Sequence, residues 1–105
     1  MLEVREYNDR AGRSPYGVWF ERLSAQAAAK IAVALTRLTL GNFSNVKGVG
    51  SGLLECRIDF GPGYRVYLGK DGDSLVILLG GGTKKRQQHD IRTALSHWQD
   101  YKQRK

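Results

Sequence analysis

The chain has 105 residues, with 17 Lys or Arg against 10 Asp or Glu, for a formal charge of +7. That length fits a single domain, residues 1–105, able to bury a modest core without staples. The charge favours nucleic acid, an anionic membrane or an acidic protein partner without choosing among them. No apolar run is long enough to span a bilayer, and Met1-Leu2-Glu3-Val4 shows no basic segment leading into an apolar signal core, so the expectation is a soluble, cytoplasmic protein with no membrane partner. One cysteine and two distant histidines, His89 and His97, offer neither an intramolecular disulfide nor a metal cage built mainly of Cys and His, and no cofactor is implied.

In chain order, Leu2-Glu3-Val4-Arg5-Glu6-Tyr7 alternates for four residues, a short first strand at an edge or joining late. Residues 8–13 read as a loop. Ser14-Pro15 starts a helix, with Ser as N-cap and Pro at the first helical position; Tyr16, Trp19, Phe20 and Leu23 then form a core-facing stripe at helical spacing. Ser24 caps a second helix running to about Leu40, with Ala28, Ile31, Ala32, Leu35 and Leu38 inward and Gly41-Asn42 as a left-handed stop. The two read as an antiparallel hairpin. Residues 41–52 read as a glycine-rich connector anchored by Phe43 and Val46, with Lys47 as its one charge, facing either solvent or a ligand.

In the stretch 53–60, apolar residues at 54, 56, 58 and 60 alternate with charges at 55, 57 and 59, the period of a half-buried strand. Tyr64, Val66 and Leu68 continue the inner face beyond Gly61-Pro62-Gly63, and Cys56 falls inward as an inert thiol. Glu55, Arg57, Asp59, Arg65 and Tyr67 then share the outer face. With Phe60 paired to Tyr64, Asp59 faces Arg65 and Arg57 faces Tyr67. Such a face suits a polyanion; the competing reading is an ordinary ion pair on a wet sheet. Lys70-Asp71-Gly72-Asp73 is a tight turn. Leu75 to Leu79 is apolar throughout, a central strand covered on both faces, which Gly80-Gly81-Gly82 ends. Thr83-Lys84-Lys85-Arg86 brings positive charge to the start of a last helix, from roughly Lys85, with Ile91, Ala94, Leu95 and Trp98 inward. His89, beside Asp90, has a near-neutral intrinsic pKa and either faces a cleft or lies exposed without function, and His97 reads as structural.

The order of these elements, the run Gly41-Asn42-Phe43, the block from Arg57 through Gly61-Pro62-Gly63-Tyr64-Arg65 to Tyr67, and Gly81-Gly82-Thr83-Lys84 followed by Asp90-Ile91 closely resemble the RelE/ParE toxin superfamily over nearly the whole chain. The nearest branch is that of short addiction-module killer proteins related to HigB and to a phage Gp49-like group. The resemblance implies an α+β, RelE-like fold: a short N-terminal strand, a helical hairpin, an antiparallel three-stranded meander and a C-terminal helix packed on one sheet. It also implies a type II toxin that enters the decoding site of the ribosome and cuts mRNA. The partner it implies is a cognate antitoxin, in this branch usually a small helix-turn-helix protein.

Residue by residue, Arg65 matches the arginine of the family's Tyr-Arg strand motif, Lys84 matches the basic residue after the last strand, and Arg57 falls near a basic position on the preceding strand. Where several members place a catalytic tyrosine at the start of the last helix, His89 or Asp90 stands nearest. The expected catalytic set is therefore Arg65, Lys84, His89 and Arg57, with Asp59 orienting Arg65 and with RNA contacts from Lys47, Tyr67, Lys85 and Arg86. Cleavage without metal requires the 2′-hydroxyl to attack the adjacent phosphate, with Arg65 and Arg57 clamping it. The same fold also serves DNA gyrase inhibitors, and a non-catalytic basic nucleic-acid-binding module is a third reading.

Overall fold

Both helix-start signals act as expected in the computed structural model, which describes residues 1–105. The Ser14 hydroxyl accepts the Gly17 amide at 2.9 Å and opens α1 (Pro15–Glu21). The Ser24 hydroxyl accepts the Ala27 amide at 3.2 Å and opens α2 (Ala25–Thr39). Each satisfies a donor that a helix start leaves free. Gly41, at φ +89°, donates its amide to the Leu38 carbonyl and closes α2 in the left-handed conformation its sequence implied.

Five strands form one mixed sheet in the order β1-β5-β4-β3-β2: β1 (Glu3–Glu6), β2 (Val46–Gly50), β3 (Leu53–Ile58), β4 (Tyr64–Asp71) and β5 (Leu75–Thr83). The short first strand lies at the edge, parallel to β5, and every other pairing is antiparallel. A 3₁₀ turn at Lys84–Arg86 leads into α3 (Gln87–Arg104). The chain is thus α+β with three α-helices, but its sheet has more strands than the short first strand and three-stranded meander expected. The addition is β2, from the segment read as a connector. Val-Lys-Gly-Val-Gly carries two glycines in five residues and little strand propensity, so its pairing with β3 comes from tertiary context.

Two further expectations are corrected. The loop between β3 and β4 spans residues 59–63, so Ile58 rather than Phe60 pairs with Tyr64, Arg57 faces Arg65, and Glu55 faces Tyr67. A slip of two residues preserves which face each side chain occupies but changes every partner. The glycines after Leu79 do not end β5, which continues through Thr83 with a register shift opposite Tyr67 and Leu68. Two of them make room: a Cβ on Gly81 would lie 2.4 Å from the Trp19 ring, and one on Gly82 would lie 1.9 Å from the Asp90 carboxylate.

Both faces of the sheet are covered. Tyr16, Ile31 and Leu38 of α1 and α2 pack with Cys56, Ile58, Val66, Leu68, Val76 and Leu78 on one face. Ala94 and Trp98 of α3 pack with Tyr7, Leu53, Tyr67, Ile77 and Leu79 on the other. The face bearing Glu55 and Arg65, read as a wet surface, therefore lies against α3 at its centre. The far end of that helix is pinned by two tyrosine–carboxylate hydrogen bonds, Tyr7 Oη to Asp100 Oδ2 and Tyr101 Oη to Asp71 Oδ2, both 2.6 Å. Trp98 fits because Gly69 beneath it has no side chain; a Cβ there would lie 2.6 Å from the ring.

Two outcomes follow from this packing. Gly81→Ala should cost about 1–3 kcal/mol by overpacking Trp19, whereas Gly48→Ala, with no atom within 4 Å of the added carbon, should stay within about 0.5 kcal/mol of wild type in urea unfolding. The carboxyl pKa values of Asp71, hydrogen-bonded by Lys105 and Tyr101, and of Asp100, hydrogen-bonded by Tyr7 and Arg104, are held below the ordinary range. A carboxyl depressed in the folded state contributes stability above its unfolded pKa, near 4, that is lost as pH falls through the folded value. Acid titration of tryptophan fluorescence should show this loss, and the Asp71→Asn/Asp100→Asn double variant should flatten it.

Candidate functional site

The loop 59–63 and the 3₁₀ turn that starts α3 are tied together by the Lys84 amide, which donates to the Gly63 carbonyl at 2.8 Å. This bond brings the segment after β5 against the end of the β3–β4 hairpin. Between them lies a cavity of about 350 Å³ lined by Asn45, Arg57, Asp59, Gly63, Arg65 and Lys84, none of them hydrophobic. Three cationic side chains from three separate segments thus share one opening. Gly63, at φ +80°, shapes the loop, and a Cβ there would sit 3.8 Å from the Arg65 Nη1.

Arg57 and Arg65 are direct cross-strand partners, an arrangement that repels unless something neutral or negative intervenes. Glu55 does so. Its side chain is fully buried; Oε1 lies 3.4 Å from the Arg57 Nε and 3.6 Å from the Arg65 Nε, while Oε2 accepts the Gln87 Nε2 at 2.7 Å. One carboxylate therefore holds both arginines from behind and binds the first residue of α3. Arg65 is itself only 7% exposed, its Nη1 donating weakly to the Tyr64 carbonyl at 3.4 Å, and its Nε has no hydrogen-bond partner within range. A buried charge remains in place only with a partner, so this guanidinium is oriented mainly by Glu55.

The structure brings together only part of the expected set. Arg57, Arg65 and Lys84 line the cavity with Asp59, but Asp59 lies beyond the end of β3 and forms no ion pair; the orienting carboxylate is Glu55. Tyr67 cannot stack on a base: it is fully buried, and its hydroxyl, without a partner, titrates higher than usual through desolvation and the nearby charges of Glu55 and Asp90. His89 does not line the cavity. It is exposed on α3, and two helical positions turn it about 200° away from Gln87, the residue that faces β3. Lys47 is exposed on the edge strand opposite Glu55, Lys85 is exposed on the 3₁₀ turn outside the cavity, and Arg86 faces a different hollow. Glu55 was placed on the outer face without its orienting role, and Gln87 was not singled out, yet a signal existed: a wholly apolar β5 needs cover on both faces, and α1 with α2 supply only one.

Removing the Glu55 carboxylate should strand Arg65 as an uncompensated buried charge. Glu55→Ala is expected to cost about 3–5 kcal/mol in chemical denaturation, with Glu55→Gln costing less because it keeps a partner for Gln87.

No family model matches this chain. An uncharacterized protein of Haemophilus influenzae is 48% identical to it over 77 residues, which make up 72% of this chain and 78% of that protein. At that identity and coverage, the chain belongs to the same family as the Haemophilus influenzae protein.

Proposed function

We propose that the chain is the toxin of a type II toxin–antitoxin system, a RelE-like, HigB-related endoribonuclease that cuts mRNA on the ribosome. The observation that carries this reading is the shared opening of Arg57, Arg65 and Lys84, a cavity without hydrophobic lining and with one guanidinium preset by a buried carboxylate. In this mechanism the two arginines take the non-bridging oxygens of the scissile phosphate. Their planar forks stay charged and suit the extra negative charge that develops on phosphorus. The 2′-oxygen forms a bond to phosphorus as the bond to the 5′-oxygen breaks, leaving a cyclic phosphate and a free 5′-hydroxyl. Lys84, which lines the same cavity, is assigned the proton donation to that leaving oxygen. Asp59, freed from any ion pair with Arg65, is the carboxylate that can accept the 2′-hydroxyl proton.

The ribosome's part in this reading is to hold the message bent for in-line attack, a positioning effect that a shallow cavity on a small domain does not provide alone. A cognate antitoxin, a helix-turn-helix protein in the related branch, restrains the toxin by covering the cavity or blocking access to it.

The test is induced expression followed by mapping of mRNA 5′ ends. Lys84→Ala and Arg57→Ala alter exposed side chains, so each should lower cleavage by about 10²-fold or more while leaving the fold intact. Asp59→Asn should lose cleavage too, and His89→Ala should keep it. Arg65→Ala is a poorer probe because Arg65 is almost wholly buried against Glu55, so its loss also disturbs the packing beneath the cavity; Arg65→Lys keeps the charge but not the fork. Unchanged 5′ ends together with inhibited gyrase supercoiling would move the protein to the gyrase-inhibitor reading.

A further inference from the structure

A larger hollow lies on the other side of the 3₁₀ turn. Its volume is about 490 Å³, and Arg13, Arg22, Trp19, Arg86 and Asp90 line it around the backbone of Gly81 and Gly82. A smaller cavity of about 180 Å³ shares Pro15, Gly81, Asp90 and His97 with it, so the two form one groove between α1, the glycines of β5 and α3. Tyr67, whose buried hydroxyl has no hydrogen-bond partner, also lines the smaller cavity.

The groove has a defined chemistry. Arg13, Arg22 and Arg86 are all exposed, and none forms an ion pair within the chain, although arginines elsewhere do. Of its two acids, Asp9 is turned to the amides of Ala11 and Arg13, at 3.0 and 2.9 Å. Asp90 sits against Gly82, where burial raises its carboxyl pKa despite the opposing charges of Arg86 and His89. Only glycine at positions 81 and 82 lets the Trp19 ring and the Asp90 carboxyl close in on bare backbone. The groove therefore combines three free guanidiniums, an aromatic wall and a hydrogen-bonding carboxyl, the set that recognises a phosphate with an attached base.

Its position relative to the first cavity says which ligand that is. Lys84 lines the first cavity and Arg86 the groove, so the three-residue turn is a ridge with a cationic hollow on each side. We propose that the groove holds a second nucleotide of the same single-stranded RNA, its phosphate on Arg13, Arg22 and Arg86 and its base between Trp19 and Asp90. This rests on the endoribonuclease reading, and it adds that the strand crosses the ridge. The groove then selects among bases a short distance from the cut, with Asp90 contacting the base edge.

The experiment measures fluorescence anisotropy of the whole protein with 2′-O-methyl oligoribonucleotides of two to eight nucleotides, which cannot undergo 2′ attack. For wild type, affinity should rise steeply once the strand is long enough to cross the ridge. The Arg13→Ala/Arg22→Ala/Arg86→Ala variant, altered only at exposed positions, should bind long strands no better than short ones. Its salt dependence should fall by about 0.7 in log–log slope for each phosphate that the variant no longer neutralises. Asp90→Asn should change the preference among homopolymers with less effect on the salt slope. If the length-dependent gain survives in the triple variant, the groove assignment is overturned while the first cavity stands. Displacement of long strands down to the short-strand affinity by an oligoglutamate peptide that does not bind the triple variant would support the groove as the extra anion site. An oligoglutamate that binds the groove while wild type shows no length dependence would assign it instead to an acidic protein segment. Absence of binding to any strand by wild type would overturn the groove proposal, while the mapping of mRNA 5′ ends decides the endoribonuclease reading separately.

Discussion

The buried Glu55 carboxylate is the constraint from which the site follows. It is dry, it separates two arginines that the strand register sets face to face, and it hydrogen-bonds the first residue of α3. Taking such a group out of water is costly, and the pair with Arg65 does little for net stability compared with an apolar core of the same shape. What the arrangement provides is orientation. A guanidinium on a wet sheet samples many rotamers, whereas Arg65, almost wholly buried with its Nε beside Glu55, presents its outer nitrogens to the cavity in one direction. The same carboxylate couples the placement of α3, through Gln87, to the placement of the arginines.

A second constraint is space. The sheet carries helices on both faces, so each close approach needs a position without a side chain. Gly69 admits Trp98, Gly81 admits Trp19, and Gly82 admits Asp90. The first fixes α3 and the other two shape the groove beside the 3₁₀ turn. Fold and candidate site therefore share their components: the glycines that let helices seat on β4 and β5 also leave bare backbone where a ligand can approach.

Much of this was legible in the residues themselves. Ser14 and Ser24 capped their helices, Gly41 closed α2, the apolar run in β5 became a central strand, and the alternation through Cys56, Ile58, Val66 and Leu68 marked the face that meets α1 and α2. These are local signals with one physical solution. β2 was hidden because two glycines and a lysine in five residues carry no strand pattern of their own. The register of the β3–β4 hairpin was two residues off because a five-residue loop and a three-residue loop leave the same faces inward, and alternation alone does not distinguish them. That slip set Asp59 opposite Arg65, where the true register sets Arg57, and so hid Glu55 as the carboxylate beside Arg65. Tyr67 and Glu55 were put in water because charge alternation looks the same on an exposed face and on one covered by a helix that brings its own polar residue.

The central claim is that Arg57 and Arg65, held from behind by Glu55, receive a phosphodiester. Its most direct measurement is nitrogen-15 NMR of the arginine Nε–H signals during titration with a 2′-O-methyl dinucleotide. The account predicts that the Arg57 and Arg65 signals shift together and saturate at one dissociation constant, while the distant Arg5 and Arg10 signals stay in place. Signals of Arg57 and Arg65 that do not move, or a uniform drift of every arginine signal, would contradict it.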